Sequence, residues 1–354
     1  MAVQLDDIHY DFRNIDGYNK TWNFIMSPRD DGKTSMAWLK KIYWVWKITH
    51  NPWIYGVRQT VEINDSMIED IQDTILNKFT DDNISFTYGK DFKSGMVNIY
   101  INNLLFFRIV SYSISLRRLK LAKVRNLAGV LIDEYIIDPR TGERYLNNEA
   151  FKIKEAYNTW RREAFNERLK VYILANPYSL YNPLFMDWNV DVNKLHKDSF
   201  YVGSTFVIHW AVLHPLLKQK LIEINPLYKE DEGYISYALE GSAINDTNIK
   251  VRTLPDNFKL KYTFRVDGRY LGIFKTNILN IDADFVFFVK EVDIVSAKRV
   301  TFCYDFKELV DNTIIINGED RLNLSMFKDG IRRNLVGYSN INIYYMIQEV
   351  YKNL

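Results

Sequence analysis

The sequence predicts an α/β protein with a mainly parallel sheet, followed by a smaller α+β domain. Three observations predict it. Short apolar runs alternate with segments whose apolar residues recur at three and four, the pattern of strands joined by crossover helices. One apolar run, Trp22 to Met26, passes directly into Ser27-Pro28-Arg29-Asp30-Asp31-Gly32-Lys33-Thr34, and another ends on Asp133-Glu134. Beyond residue 253 the alternation gives way to a hairpin pattern.

At 354 residues the chain suggests two domains, with ample material for a core. Apolar residues make up 47% and charged residues 25%, which excludes the disordered and membrane classes, and no apolar run reaches the length of a spanning helix. The N-terminus shows no basic-then-apolar secretory pattern, so a reducing cytoplasm is expected. The one cysteine, Cys303, excludes an internal disulfide, and the five scattered histidines have no metal-ligand spacing. A net charge of +2 means that contact with DNA would come from local basic patches, not from the overall field.

The loop after the first strand reads as an altered phosphate-binding loop. The usual pattern is Gly, four free positions, then Gly-Lys-[Ser/Thr]; here Ser27 stands at the first Gly, and Gly32-Lys33-Thr34 match. Such a loop holds a polyphosphate mainly through successive backbone N–H groups and a helix N-terminus, so the intervening side chains can vary if they point away from the phosphates. Asp30 and Asp31 are therefore expected to point away. Lys33 is expected to reach the β and γ phosphates of ATP and the Thr34 hydroxyl to ligate Mg²⁺.

Residues 1 to 20 read as a short flap leading into the first strand, either lying near an adenine base or, more plainly, a strap packed on the core. Ser35 to Trp46 keeps one apolar face at helical spacing, Trp53 to Arg58 is a buried strand, and Ile63 to Phe79 leads into a further helix. Phe86–Tyr88 and Val97–Ile101 form a small hairpin, and Leu104 to Val110 another strand. Arg117 to Arg125 then places five cations in nine residues without a carboxylate, either a phosphate-binding patch or a solvated helix face.

Ala128 to Ile132 is an apolar strand ending in Asp133-Glu134, one hundred residues after Lys33. Asp133 is placed in the Mg²⁺ shell, and Glu134 is placed to orient and polarise the attacking water. Phe151 to Arg168 is expected to be helical with Arg161, Arg162 and Arg168 available; the Arg161-Arg162 pair either stabilises charge on a neighbouring subunit's phosphoryl group or belongs to a surface salt-bridged helix. Val171 to Ala175 is a buried strand ending in Asn176; its amide either senses the γ-phosphate through the lytic water or caps the turn with Pro177.

The first domain is placed at 1–205, a connecting region at 206–253 and the second domain at 254–354. Within the connecting region Phe206 to Leu213 begins in strand, Leu216 to Ile224 is helical, and Lys229 to Asn248 is polar. His209 and His214 are five apart and would not share a helix face, so they are given core or cap roles. Lys259–Phe264, the turn Asp267-Gly268 and Tyr270–Phe274 form a β-hairpin, Phe285–Val289 is a strand, and Leu335 to Tyr351 closes as a helix.

These residues resemble the genome-packaging ATPases, or encapsidation proteins, of small Picovirinae-type podophages, over nearly the whole chain. The markers are Phe24-Ile25-Met26 leading to Arg29 and Gly32-Lys33-Thr34, then Gly56-Val57-Arg58, Leu131-Ile132-Asp133-Glu134-Tyr135, Ala175-Asn176 with Asn182-Pro183, and Tyr262 to Phe274. An arginine two places into the loop, as at Arg29, is typical of viral packaging motors; the family has small residues at Ser27-Pro28 and glycine at Asp30. The resemblance implies an ASCE, RecA-like P-loop ATPase domain and a C-terminal domain like a degenerate RNase H-like nuclease. It implies a homo-oligomeric ring, pentameric in relatives, seated on the portal of a prohead in the host cytoplasm and driving double-stranded DNA inward with ATP and Mg²⁺. It leaves a packaging RNA open as a further partner and involves no membrane. By position Lys120 matches a basic residue acting on the adjacent subunit's nucleotide, and the arginine finger falls near 162–164, with Arg162 first and Arg161 and Arg168 in reserve. Asp282, Asp284, Asp293 and Asp305 are the carboxylates that a two-metal nuclease would need, and their spacing does not compel one.

Two other readings share the same residues. A cellular DNA translocase or helicase has the same loop and acid pair and a different partner; a structural ring protein would follow if Ser27, Asp30 and Asp31 had spoiled the loop.

Overall fold

The computed structural model describes residues 8–353, except positions 81, 90, 139, 140, 142, 144, 181, 227, 267 and 334 and the segments 229–237, 240–249, 277–284 and 294–300. The chain divides into two compact units, Met1–Ile244 and Asn245–Leu354.

In the first unit a short helix α1 (Arg13–Asp16) precedes β1 (Trp22–Met26), every residue of which is buried. The loop then enters α2 (Lys33–Met36), which passes through a π-helical segment (Ala37–Tyr43) into α3 (Trp44–Thr49). β2 (Trp53–Val57) is again wholly buried, as expected for a strand covered on both faces. α4 (Asp65–Leu76) is capped by the Asn64 side chain, which accepts from the Met67 N–H, and buries Ile68, Ile71 and Ile75 at helical spacing. There follow β3 (Phe86–Tyr88), β4 (Met96–Ile101), β5 (Leu104–Ser111), α5 (Leu116–Leu121), β6 (Gly129–Ile132), α6 (Glu149–Trp160) and β7 (Lys170–Ala175). The unit closes with α7 (Pro183–Asp187), β8 (Ser199–Val202), β9 (Phe206–Trp210) and α8 (Pro215–Ile224).

The nine strands form one sheet in the order β3-β4-β5-β2-β6-β7-β1-β9-β8, parallel from β5 to β9 with antiparallel strands at both edges. β7 lies between β1 and β6, so the strand entering the phosphate loop and the strand ending in Asp133 are separated by one strand, the arrangement of the ASCE type of P-loop fold. The core packs Trp38 against Tyr55 and Phe107 on one side of the sheet, and Phe24 against Tyr135 and Phe185 on the other.

Two boundaries differ from the sequence reading. Residues 206–210, assigned to a connecting region, form β9 and pair in parallel with β1 from Trp22↔Phe206 to Met26↔Trp210. The first domain therefore runs past residue 205, because β1 needs a partner on its second edge. Residues 161–168 do not prolong α6: a short 3₁₀ turn (Arg161–Glu163) ends the helix, and the chain extends from Ala164. Most of Lys229–Asn248 lies outside the described residues.

In the second unit β10 (Phe258–Val266), β11 (Arg269–Thr276), β12 (Phe287–Glu291), β13 (Thr301–Cys303), β14 (Thr313–Ile315) and β15 (Val336–Tyr338) form a sheet in the order β14-β13-β10-β11-β12-β15. The first three strands are antiparallel neighbours, the fourth runs parallel beside the first and the fifth beside the fourth, which is RNase H-like topology. The segment from Leu335 is not helical throughout: Val336–Tyr338 joins the sheet beside β12, and the last helix spans Ile341–Asn353.

Candidate active site

Three neighbouring strands deliver the candidate residues to one edge of the sheet. β1 leads to the loop and Lys33, β7 to Asn176 and β6 to Asp133, all at strand C-terminal ends, where open parallel sheets bind ligands. The sheet ladder continues into the loop, since the Ser27 N–H donates to the Ala175 carbonyl at 3.1 Å.

Inside the loop Asp30 and Gly32 both have left-handed backbone, with φ of 61° and 74°. Asp tolerates this region better than most side chains, which explains how it serves at a position given to glycine in the resembling family. Its carboxylate turns outward and accepts from the Tyr228 hydroxyl at 3.2 Å. Gly32 has a second constraint. A Cβ there would lie 2.6 Å from the His9 ring, because the segment before β1 crosses the loop. The Tyr10 N–H donates to the Asp31 carbonyl at 3.1 Å, and the Tyr10 hydroxyl lies 3.0 Å from Nδ1 of buried His209 on β9. The strap expected from the sequence thus rests on the phosphate loop itself.

Asp31 differs from Asp30. It is 3% exposed and turned inward, with Oδ2 buried and unpaired; the Ser27 hydroxyl is likewise buried without a hydrogen-bond partner. Burial pushes the Asp31 carboxyl up to about 7, against the opposing pull of the Ser27 hydroxyl and the Lys33 ammonium.

Lys33 is buried, and its ammonium donates to the Ser27 carbonyl (3.3 Å), the Pro28 carbonyl (3.2 Å) and the Asn176 side-chain oxygen (2.7 Å). Burial lowers its pKa, opposed by Asp133, Asp31, Glu134 and Asp30. The Asn176 amide also donates to the Tyr178 hydroxyl (3.1 Å), which accepts from Arg29 Nε (2.7 Å). The Asn176 side chain therefore reaches Lys33; its carbonyl, accepting from the Tyr178 N–H, makes the turn.

Asp133 is half-buried beside Lys33. Burial raises its carboxyl to about 6, with Lys33, the Glu134 N–H and the Thr34 hydroxyl pulling it down. Thr34 and Asp133 thus present adjacent hard oxygen donors, a set suited to Mg²⁺. Glu134 has φ 49°, leaves the strand in the left-handed region and exposes its side chain. The sequence reading missed what supports it. Arg58, after β2, donates to the Glu134 carbonyl (3.4 Å) and to the Tyr135 carbonyl, and pairs with Glu149 at 3.2 Å, the two side chains being 11% and 1% exposed. Arg58 also lies over the Tyr135 and Tyr145 rings. An arginine closing a buried strand was the available signal, but its partner is 91 positions away.

The other cations are placed elsewhere. Lys120 pairs with Glu155 on α6, and Lys123 with Glu163. Arg161 and Arg162 occupy the turn before β7, where the Leu127 N–H donates to the Glu163 carbonyl just ahead of β6. They therefore sit toward the N-terminal ends of the strands, the edge opposite the phosphate loop. Arg168 donates to the Asn19 carbonyl at 2.7 Å on that same edge. His209 and His214 take core and cap roles: His209 is buried against Phe200 and Tyr10, and His214 Nδ1 accepts from the Leu216 N–H.

Of the four C-terminal aspartates, Asp282 and Asp284 lie outside the described residues. Among the described residues no group of three or more His, Cys, Asp or Glu could hold a metal, and β10, the central strand, carries Lys259, Lys261 and Arg265 without a carboxylate. Among the described residues no helix is long and apolar enough to cross a membrane.

No family model matches the sequence, and no curated protein sequence is significantly similar to it. Solved structures are. The chain superposes on a subunit of the bacteriophage Phi-29 viral genome packaging motor assembly with a TM-score of 0.67 and 17% identity, covering 98% of this chain and 99% of that one. It matches the Phi-28 gp11 DNA packaging motor with a TM-score of 0.61 and 14% identity, covering 97% of each chain. The fold of this chain, through both units, is that of phage packaging-motor subunits.

Proposed function

We propose that this protein is an ATP-driven motor that moves double-stranded DNA through a portal into a preformed prohead. The observation that carries the reading is the end-to-end correspondence in fold with two packaging-motor subunits, each matched over nearly its full length. The loop, Asp133 and Asn176 meet at the place where a P-loop fold binds nucleotide, which supports an ATPase.

In this reading Lys33 exchanges the Ser27 and Pro28 carbonyls for the β and γ phosphates and neutralises charge there. Thr34 and Asp133 would hold Mg²⁺, which would supply positive charge to offset that of the phosphates. Glu134 orients and polarises the attacking water, from a backbone position fixed by Arg58. Asn176, in contact with Lys33, links the state of the phosphates to Tyr178 and Arg29. Lys120 and Arg162 act on a neighbouring subunit's nucleotide: Arg162 lies across the sheet from its own loop and Lys120 is engaged with α6, so a role at the phosphates must be in trans. The working form is a homo-oligomeric ring, a pentamer, docked on the prohead portal in the host cytoplasm, with a packaging RNA as a candidate adaptor. The C-terminal unit, lacking a carboxylate on its central strand, contacts the prohead, the portal or DNA without cleaving it.

The test is DNA-stimulated ATP hydrolysis by the wild type, Lys33→Ala and Glu134→Gln. Turnover is expected to collapse in both variants, and unchanged turnover in both overturns the assignment. Packaging that requires purified proheads distinguishes this motor from a cellular translocase.

A further inference from the structure

Asp31 is a carboxyl group placed within a phosphate loop, sealed from solvent and without an ion pair. The seal comes from the N-terminal strap, whose Tyr10 N–H holds the Asp31 carbonyl and whose His9 ring lies on Gly32. Lys33, two positions away, gives its hydrogen bonds to Ser27, Pro28 and Asn176 instead. Oδ2 of Asp31 and the neighbouring Ser27 hydroxyl are both buried and unsatisfied. A buried carboxylate without an ion pair is strongly disfavoured, whereas a neutral carboxyl is not. An ionised Asp31 at this place in the loop would repel phosphates held by the loop's backbone N–H groups.

Building on the nucleotide-site reading, we propose that Asp31 is a proton-binding group of the phosphate loop that is neutral when nucleotide is bound, so that nucleotide capture takes up a proton. The step transfers one proton from solvent to the carboxylate and breaks no other bond. The groups acting on Asp31 are Lys33 from α2 and the Ser27 hydroxyl from the loop entrance, with Tyr10 coupled to it from the strap; Asp11 acts on Tyr10, and the His9 ring lies on Gly32. Asp30 is turned to Tyr228, and Asp133 and Glu134 act on Lys33. Burial of Asp31 raises its proton affinity into the neutral range, with its carboxyl at about 7. Nucleotide affinity should therefore weaken as pH rises through that value.

The experiment is calorimetric binding of magnesium ADP to the full chain at about pH 6 and about pH 8, in buffers of contrasting ionisation enthalpy. The wild type is expected to bind about tenfold more tightly at the lower pH and to take up protons on binding. The nucleotide's own phosphates also titrate, so the readout is the difference from Asp31→Asn, which should bind nearly equally at both values without the extra uptake. Binding with an identical pH profile in wild type and Asp31→Asn overturns the proposal and leaves the nucleotide site standing. Flattening by His9→Gln in place of Asp31→Asn also overturns it. Absence of wild-type binding at either pH and millimolar nucleotide overturns both. Asp31→Ser takes the place of Asp31→Asn in the same comparison if that variant fails to fold.

Discussion

The Lys33 ammonium and the Asn176 carboxamide oxygen lie 2.7 Å apart, joining the phosphate loop after β1 to the end of the adjacent strand β7. A single change at Asn176 should therefore act on the lysine without touching nucleotide directly. Asn176→Ala is expected to lower the ATPase turnover number by about tenfold to a hundredfold, while ATP binding changes only severalfold. Lys33→Ala should weaken both. Steady-state hydrolysis beside nucleotide titration separates the two patterns, and equal losses in binding and turnover for Asn176→Ala would remove it from the coupling path.

Arg58 and Glu149 form a nearly solvent-free pair that also holds two carbonyls at the end of the acid strand. Removing one partner leaves the other charge buried. Glu149→Leu or Arg58→Met alone should cost about 3–5 kcal/mol in denaturant unfolding. The double change should be markedly less harmful than the sum of the singles, since no unpaired charge remains. Additive losses in that cycle would show that the pair is not coupled.

Arg162 sits at the sheet edge opposite Lys33 and cannot serve its own loop. Mixed rings give a direct check. Lys33→Ala subunits combined with Arg162→Ala subunits should recover part of the DNA-stimulated hydrolysis that each lacks alone, because some interfaces then carry an intact lysine and an intact arginine. Lack of recovery at every mixing ratio points to Arg161, Arg168 or a different group.

Burial raises Asp31 to about 7 and Asp133 to about 6, so the folded chain holds more protons than the unfolded chain above the ordinary carboxylate pKa. The associated stability is full below about pH 4 and is lost as pH rises through 6 and then 7. At roughly 1.4 kcal/mol per unit, Asp31 alone accounts for up to about 4 kcal/mol. Asp31→Asn should therefore gain on the wild type from about pH 4 to about pH 7 and hold that gain above it, as read from urea midpoints. A constant difference across the range would mean that Asp31 is not buried in solution.

The loop and the acid strand of the candidate site were legible in the sequence because they are local. An apolar strand followed by Gly32-Lys33-Thr34, and another followed by Asp133-Glu134, need only strand periodicity and residue type, and the parallel sheet follows from their alternation with helices. What escaped is non-local. β9 read as a connection because Phe206 to Trp210 has no recognisable parallel neighbour in sequence, its partner being residues 22–26. The inward turn of Asp31 depends on a strap whose anchor, His209, lies far along the chain. The three residues of β15 were absorbed into the following helix because a strand so short carries little period of its own. Nor does sequence periodicity announce the π-helical segment after the loop, whose apolar residues still fall on one buried face.

β1 lies inside the sheet between β7 and β9, and both of these flanking strands are among the last of that unit to be synthesised. Emerging from a ribosome, residues 22–26 have no edge to pair with until 170–175 arrive, and the second edge stays open until Trp210 has followed. Such long sequence separations slow folding and leave apolar backbone exposed while it waits. The nascent chain should thus remain unable to grip nucleotide until late in translation, and truncation between Ala175 and Phe206 should yield an aggregation-prone fragment rather than a smaller enzyme.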